Sequence, residues 1–287
     1  MLKRIITSIV AVAVLIPVLI FSNTWIFPAA IALCAVVGCY EMLSCIGQKK
    51  NVWLALPIYL VAALCPVFVR YFYISGQGSD SSLASFLKLA IGLAMILALY
   101  IFGVAVFDNK RVAITDSGLI FASCFYIIAA FTSLVYLRDY VMYGMYIYLL
   151  PFICAWVTDI FAYFIGRFLG KHKLIPSVSP KKTVEGAIGG IVFCVIALVA
   201  YGFIIERFVD GTGTAQAKYL VIAISGVFVS VVSQTGDLIM SVIKRHYGIK
   251  DYGKIFPGHG GILDRFDSVM AVSVILAFIC TYFNLFA

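Results

Sequence analysis

The chain has 287 residues, of which 63% are hydrophobic and only 12% charged, with a formal net charge of +8 and a mean hydropathy of +1.08. No soluble globular domain has that balance, and apolar runs recur from end to end, so the composition reads as one polytopic membrane domain. The basic surplus suits anionic lipid headgroups or a polyphosphate ligand, and no nucleic-acid partner is expected.

In chain order, Met1 to Phe21 is a first span and not a signal peptide, because no small-residue cleavage site follows and "PVLIFSNTW" runs straight into the next apolar stretch. A bilayer crossing takes about 20 helical residues. Nine stretches meet that length, near 5–22, 25–46, 52–74, 85–107, 112–137, 143–166, 184–205, 218–243 and 267–286. Only "SNT" parts the first two, so eight spans is the alternative. The runs are about twice the length of a barrel strand and lack its alternation, which predicts an all-α protein. With the N terminus cytoplasmic, only Arg70, Lys88, Arg138, Arg207 and Lys218 of the 21 Lys and Arg fall on the far side. Nine spans then satisfy the positive-inside rule at every crossing and leave the C terminus outside. The eight cysteines all fall in apolar spans and form no C-x-x-C, so they read as small buried hydrophobes. Residues 1–140 are plain spans with short loops; the unusual chemistry lies in 141–287.

Three clusters carry it. The first is "TDIFAYFIGRFLGKHKLIPSVSPKKTVEGAIGG", residues 158–190. Asp159 sits eight residues before Arg167, roughly 12 Å inside its span. A carboxylate there costs on the order of 3 kcal/mol and must face a polar interior, by function or by pairing with Arg167 or Tyr163. "GRFLGKH" is one residue short of a Walker A loop and leaves a helix instead of a strand, so it is not one. In "SPKKT", Ser179, Lys181, Lys182 and Thr183 precede a new helix, an arrangement that can hold a phosphate. A helix cap by Thr183 with topology-setting lysines accounts for it equally well. Gly186 and Gly190 form a G-x-x-x-G of the kind that brings helices close.

The second cluster is "SQTGDLIMSVIKRHYG", residues 233–248. Asp237 lies roughly 10 Å inside its span, nearly the depth of Asp159. Ser233, Asp237, Ser241 and Lys244 fall on one helix face. The third is "FPGHGGILDRFDS", where Asp264 and Asp267 point the same way at a helix start and glycines 258, 260 and 261 allow close backbone approach. The helix dipole alone accommodates one such acid better than two. His259 by itself says little. Together Asp159, Asp237, Asp264 and Asp267 form a cytoplasm-facing set ringed by bases, whose mutual repulsion calls for a cation. Hard oxygen ligands beside phosphate point to Mg²⁺ and to phosphoryl or nucleotidyl transfer onto a lipid.

Residues 241–268, "SVIKRHYGIKDYGKIFPGHGGILDRFDS", resemble the signature of the phosphatidate cytidylyltransferase family, S-x-x-K-R-x(4)-K-D, a short spacer, P-x-H-G-G-x-x-D-R-x-D. Ser241, Lys244, Arg245, Lys250, Asp251, Pro257, His259, Gly260, Gly261, Asp264, Arg265 and Asp267 fill its positions. "DIFAYFIGRFLGK" and "SPKKTVEG" resemble the same family upstream. The resemblance implies that CTP and phosphatidate give CDP-diacylglycerol and pyrophosphate, with Mg²⁺, and room for a second cation, held by Asp237 and Asp264 and supported by Asp267. It casts Lys244 and Arg265 as the catalytic positive charges beside Asp237 and Asp264. Arg245, Ser241, His259, Gly260, Gly261, Asp159, Ser179, Lys181, Lys182 and Thr183 become candidates for binding CTP or phosphatidate. It further implies a homodimer; the compact length and short termini lean to a bacterial inner membrane, with an organelle membrane as the alternative, and the positions of the basic residues put the active site on the cytoplasmic face. The D-G-x-x-A-R motif of CDP-alcohol phosphotransferases does not occur here, and the plain outer loops argue against a through-membrane transport path.

Overall fold

The computed structural model describes residues 13–209, 215–255 and 260–287. The start of the predicted 5–22 span and the candidates Gly258 and His259 lie outside the described residues. Seven described helices are long and apolar enough to cross a membrane, and the only sheet among the described residues is a two-stranded hairpin. The expectation of a helical membrane protein holds, with no closed barrel among the described residues. The chain divides into two compact units.

The first unit takes in Met1–Tyr140 and Tyr247–Arg265. Its helices are α1 (Ile26–Cys45), α2 (Val52–Ser75), α3 (Asp80–Phe107) and α4 (Ile114–Asp139). The Asn51 side chain caps α2 by accepting the Leu54 N–H, and Ser79 caps α3 by accepting that of Ser82, so polar residues between apolar runs set where helices begin. Small residues on α1 (Ala35, Gly38, Cys39) let α2 and α4 pack closely; a Cβ on Gly38 would stand 3.1 Å from Ile127 Cγ2. Only 17% of the apolar window in α3 is buried, which suits a lipid-facing helix. At the C-terminal end of α4 the buried Arg70 guanidinium bonds the Asp139 carboxylate and the Asn23 carbonyl.

The second unit takes in Val141–His246 and Phe266–Ala287. After a short helical turn at Gly144–Ile147 come α5 (Leu150–Phe168), strands β1 (Lys173–Ile175) and β2 (Ser179–Thr183), α6 (Val184–Ile204) with a π-turn at Ile205–Val209, and α7 (Tyr219–His246). The last helix, α8 (Leu263–Tyr282), occupies the position of the predicted 267–286 span but starts four residues earlier. Glycines on α6 bring α5 against it: a Cβ on Gly186 would meet the Ala162 carbonyl oxygen at 2.5 Å, and one on Gly190 the Thr158 carbonyl oxygen at 3.0 Å. The G-x-x-x-G is thus a packing device. The chain end is tied down by an antiparallel bridge between Ala217 and Phe286.

"SPKKT" does more than precede a helix: it forms β2, antiparallel to β1 with Lys173 opposite Thr183 and Ile175 opposite Ser179. Backbone pairing therefore presents its lysines.

Candidate functional site

In the second unit α5, α7, α8 and β2 each contribute to one polar cluster. Lys182, near the end of β2, places Nζ 2.6 Å from Asp237 Oδ2 on α7 and 3.4 Å from the Gln234 carbonyl one turn away. The Ser241 hydroxyl donates to Asp237 Oδ1 at 3.5 Å, so part of the predicted stripe is linked through hydrogen bonds. Ser268, in the first turns of α8, donates its hydroxyl to Asp159 Oδ2 at 3.2 Å, and its N–H bonds Asp267 Oδ1 at 2.8 Å. The Asp267 carboxylate feels the negative charges of Asp237 and Asp159 and the positive charge of Lys244. Three acids from three helices thus share one electrostatic neighbourhood, with Lys182 and Lys244 as countercharges.

Local sequence explains the geometry. A Cβ on Gly236 would run into Ala271 and stand 3.1 Å from the Asp267 carbonyl oxygen, so glycine beside Asp237 lets α7 and α8 touch where their acids sit. Thr183 ends β2 and caps α6 by accepting the Gly186 N–H at 3.1 Å, which holds Lys182 at a fixed distance from the helix start. Methyl-sized additions at Gly166 or Gly170 would collide with Thr183, so the α5 end also wraps this cap. The exposed His172 bonds the Glu185 carboxylate through Nδ1 at 2.6 Å and through its N–H, tying β1 to the first turn of α6.

The other expected residues fall as follows. Asp159 bonds Ser268, while Arg167 bonds Tyr163 at 3.0 Å. Ser179 begins β2 half-buried, Lys181 is exposed on the same strand, and Arg245 is exposed near the end of α7. Ser233 is fully buried with no hydrogen-bond partner for its hydroxyl among the described residues.

Gly260, Gly261, Asp264 and Arg265 belong to the first unit. Asp264 Oδ2 accepts the N–H groups of Tyr252 at 2.8 Å and Gly261 at 2.9 Å, so this acid fastens the loop that precedes it. Gly260 takes φ +64° directly over the Asp264 carboxylate, a conformation and a space that suit only glycine. Arg265, the next residue, is exposed. The sequence reading missed Glu41, a buried acid on α1 that bonds the N–H groups of Ile262 and Leu263. The available signal was an acid inside a 20-residue apolar run.

Among the described residues no three His, Cys, Asp or Glu side chains converge closely enough to hold a metal alone. Mg²⁺ is commonly held by one or two carboxylates, with water and substrate phosphate oxygens completing the octahedron. The hard, mutually repelling carboxylates of Asp237 and Asp267 fit that donor chemistry.

Fold and site together define a multi-pass helical membrane protein with an acid-and-lysine cluster built on its helices and its hairpin. The model of the cytidylyltransferase family matches residues 2–283. A phosphatidate cytidylyltransferase of Bacillus subtilis is 32% identical over 287 residues, 99% of each chain. That of Staphylococcus haemolyticus is 34% identical over 273 residues, 95% of this chain and 96% of its own. That of Staphylococcus saprophyticus is 40% identical over 190 residues, 66% of this chain and 67% of its own. The chain belongs to the cytidylyltransferase family and is a nucleotidyltransferase, as the motif resemblance implied.

Proposed function

We propose that the protein transfers CMP from CTP to phosphatidate, releasing pyrophosphate and forming CDP-diacylglycerol, at the cytoplasmic face of the cell membrane. The observation that carries this reading is the cluster of Lys182, Asp237, Asp267 and Asp159. A phosphatidate oxygen forms a bond to the α-phosphorus of CTP as the bond from that phosphorus to the β-bridging oxygen breaks. The attacking oxygen is already ionised at neutral pH, so alignment and charge neutralisation do most of the work. Lys182, Lys244, Arg245 and Arg265 supply positive charge to substrate phosphates, and Lys181 adds to it from the exposed side of β2. When bound, Mg²⁺ would neutralise phosphate charge; Asp237 and Asp267 would hold it, with Asp264 as the acid that the family pattern adds. Substrate phosphates would then draw Lys182 from Asp237 and leave that carboxylate for the cation.

Nine spans with the N terminus inside and a homodimeric assembly belong to the same proposal. The test is purified protein with labelled CTP and phosphatidate, with and without Mg²⁺. Labelled CDP-diacylglycerol is the expected product. Free CDP with a phosphorylated lipid would mean a CTP-dependent lipid kinase instead.

A further inference from the structure

Glu41 is 1% exposed, four residues before the C-terminal end of the apolar helix α1, and its carboxylate is committed to the backbone of a distant segment. Oε1 accepts the N–H of Ile262 at 3.0 Å and Oε2 that of Leu263 at 2.9 Å. These donors sit at the start of α8, where a helix leaves its first N–H groups without internal partners. Burying a carboxylate costs more than capping with a hydroxyl, but two oxygens on two successive N–H groups fix rotation about the helix axis as well as position. The loop is moulded onto the same carboxylate: a Cβ on Gly253 or on Gly261 would collide with it. Leu263 itself seats against Gly38, three residues before Glu41 on α1. The next two residues are Asp264, which clamps Tyr252 and Gly261, and Arg265.

We infer that Glu41 is a positioning residue for the nucleotidyl transfer, holding the start of α8 so that Asp264 and Arg265 stand at one height and one rotation. This rests on the proposed role of those two residues in the reaction. Displacement of a reacting group by about 1 Å costs on the order of 100-fold in rate, so an effect through geometry falls on kcat.

Glu41→Gln in the full-length, detergent-purified protein tests it. The amide keeps the size but only one of its two terminal atoms can accept a hydrogen bond. The expected result is monodisperse elution, kcat lowered by roughly 10- to 100-fold, and KM for CTP within about 3-fold of the parent. Hydrogen exchange of the 261–264 amides should quicken by about 10-fold, as loss of one charge-assisted bond requires. Gly253→Ala, which pushes on the carboxylate from the loop side, should give the same kcat loss. Parental kcat in a folded Glu41→Gln protein, or a kcat loss with unchanged exchange at those amides, overturns the inference. If Glu41→Gln does not fold, parental kcat in Gly253→Ala overturns it. A parent protein that makes no CDP-diacylglycerol sinks the proposed reaction instead, and the exchange measurement then decides by itself whether Glu41 holds the helix start.

Discussion

Replacing Lys182 by Met keeps most of the side-chain stem and removes only the charge, which makes it the sharpest probe of the acid cluster. Nζ lies 2.6 Å from Asp237, with side chains 24% and 27% exposed. At an effective dielectric of about 20 the gross attraction at that distance is roughly 6 kcal/mol. Much of it is offset by desolvation of both groups, so the net loss on removing one partner is about 2 kcal/mol. In the parent this strength holds Asp237 in place against the repulsion of Asp267. In the enzyme with substrate the same ammonium is to meet phosphate, so kcat/KM should fall by about 30-fold, the equivalent of that 2 kcal/mol.

The assay is initial-rate formation of CDP-diacylglycerol from CTP and phosphatidate, with a melting curve in detergent alongside. Lys181→Met, which removes an exposed charge from the same strand, should lose less than about 5-fold. Combining Lys182→Met with Asp237→Asn should recover part of the lost stability, since the unpaired anion is gone, but no activity. If Lys182→Met keeps the parental kcat/KM, Lys182 is only a structural countercharge and β2 holds no substrate.

Asp237→Asn and Asp267→Asn should each lower turnover by several orders of magnitude across a Mg²⁺ titration while the protein stays folded, because the Asn oxygen can still accept a hydrogen bond. Near-parental rates at low Mg²⁺ in both would dismiss the proposed metal role. Asp139→Leu should destabilise by about 3–5 kcal/mol by stranding Arg70, while Arg70→Leu with Asp139→Leu should melt close to the parent; a double variant as unstable as the single one would show that the pair is needed as a pair. A reporter active only in the cytoplasm, fused after Ala287, should stay silent; a strong signal means eight spans or an inverted chain.

The helical architecture was legible because apolar runs of bilayer length leave the backbone one solution, with every N–H and C=O bonded inside the segment. Seven of the predicted stretches correspond to the described apolar helices within a few residues at most ends, although α3 begins at Asp80 and not near 85. The hairpin was hidden because Pro176 and Pro180 interrupt it and its strands are only three and five residues long. The acids and lysines could be read individually, but not their partners. Lys182 meets Asp237 and Ser268 meets Asp159 across long stretches of chain, and only packing brings them together. Glu41 was hardest to see, since its partners lie 221 and 222 residues away and no motif surrounds it.

Two ion pairs, one buried and one partly exposed, show how the same chemistry serves different ends. Arg70 and Asp139 are 6% and 1% exposed and closed in by packing, and Arg70 Nε and Asp139 Oδ2 remain buried without partners among the described residues. Such a pair cannot open without stranding a charge in an apolar interior, so it can locate two helix ends and do little else. Lys182 and Asp237 keep about a quarter of their side-chain surface exposed, and each lies beside other acceptors or charges: the Gln234 carbonyl for the lysine, Asp267 and Ser241 for the acid. Separating them costs less, and a phosphate or a cation can replace either partner. Partial exposure and alternative partners therefore distinguish an exchangeable ion pair from a fixed one. On that criterion the pair on β2 and α7 is the one suited to substrate.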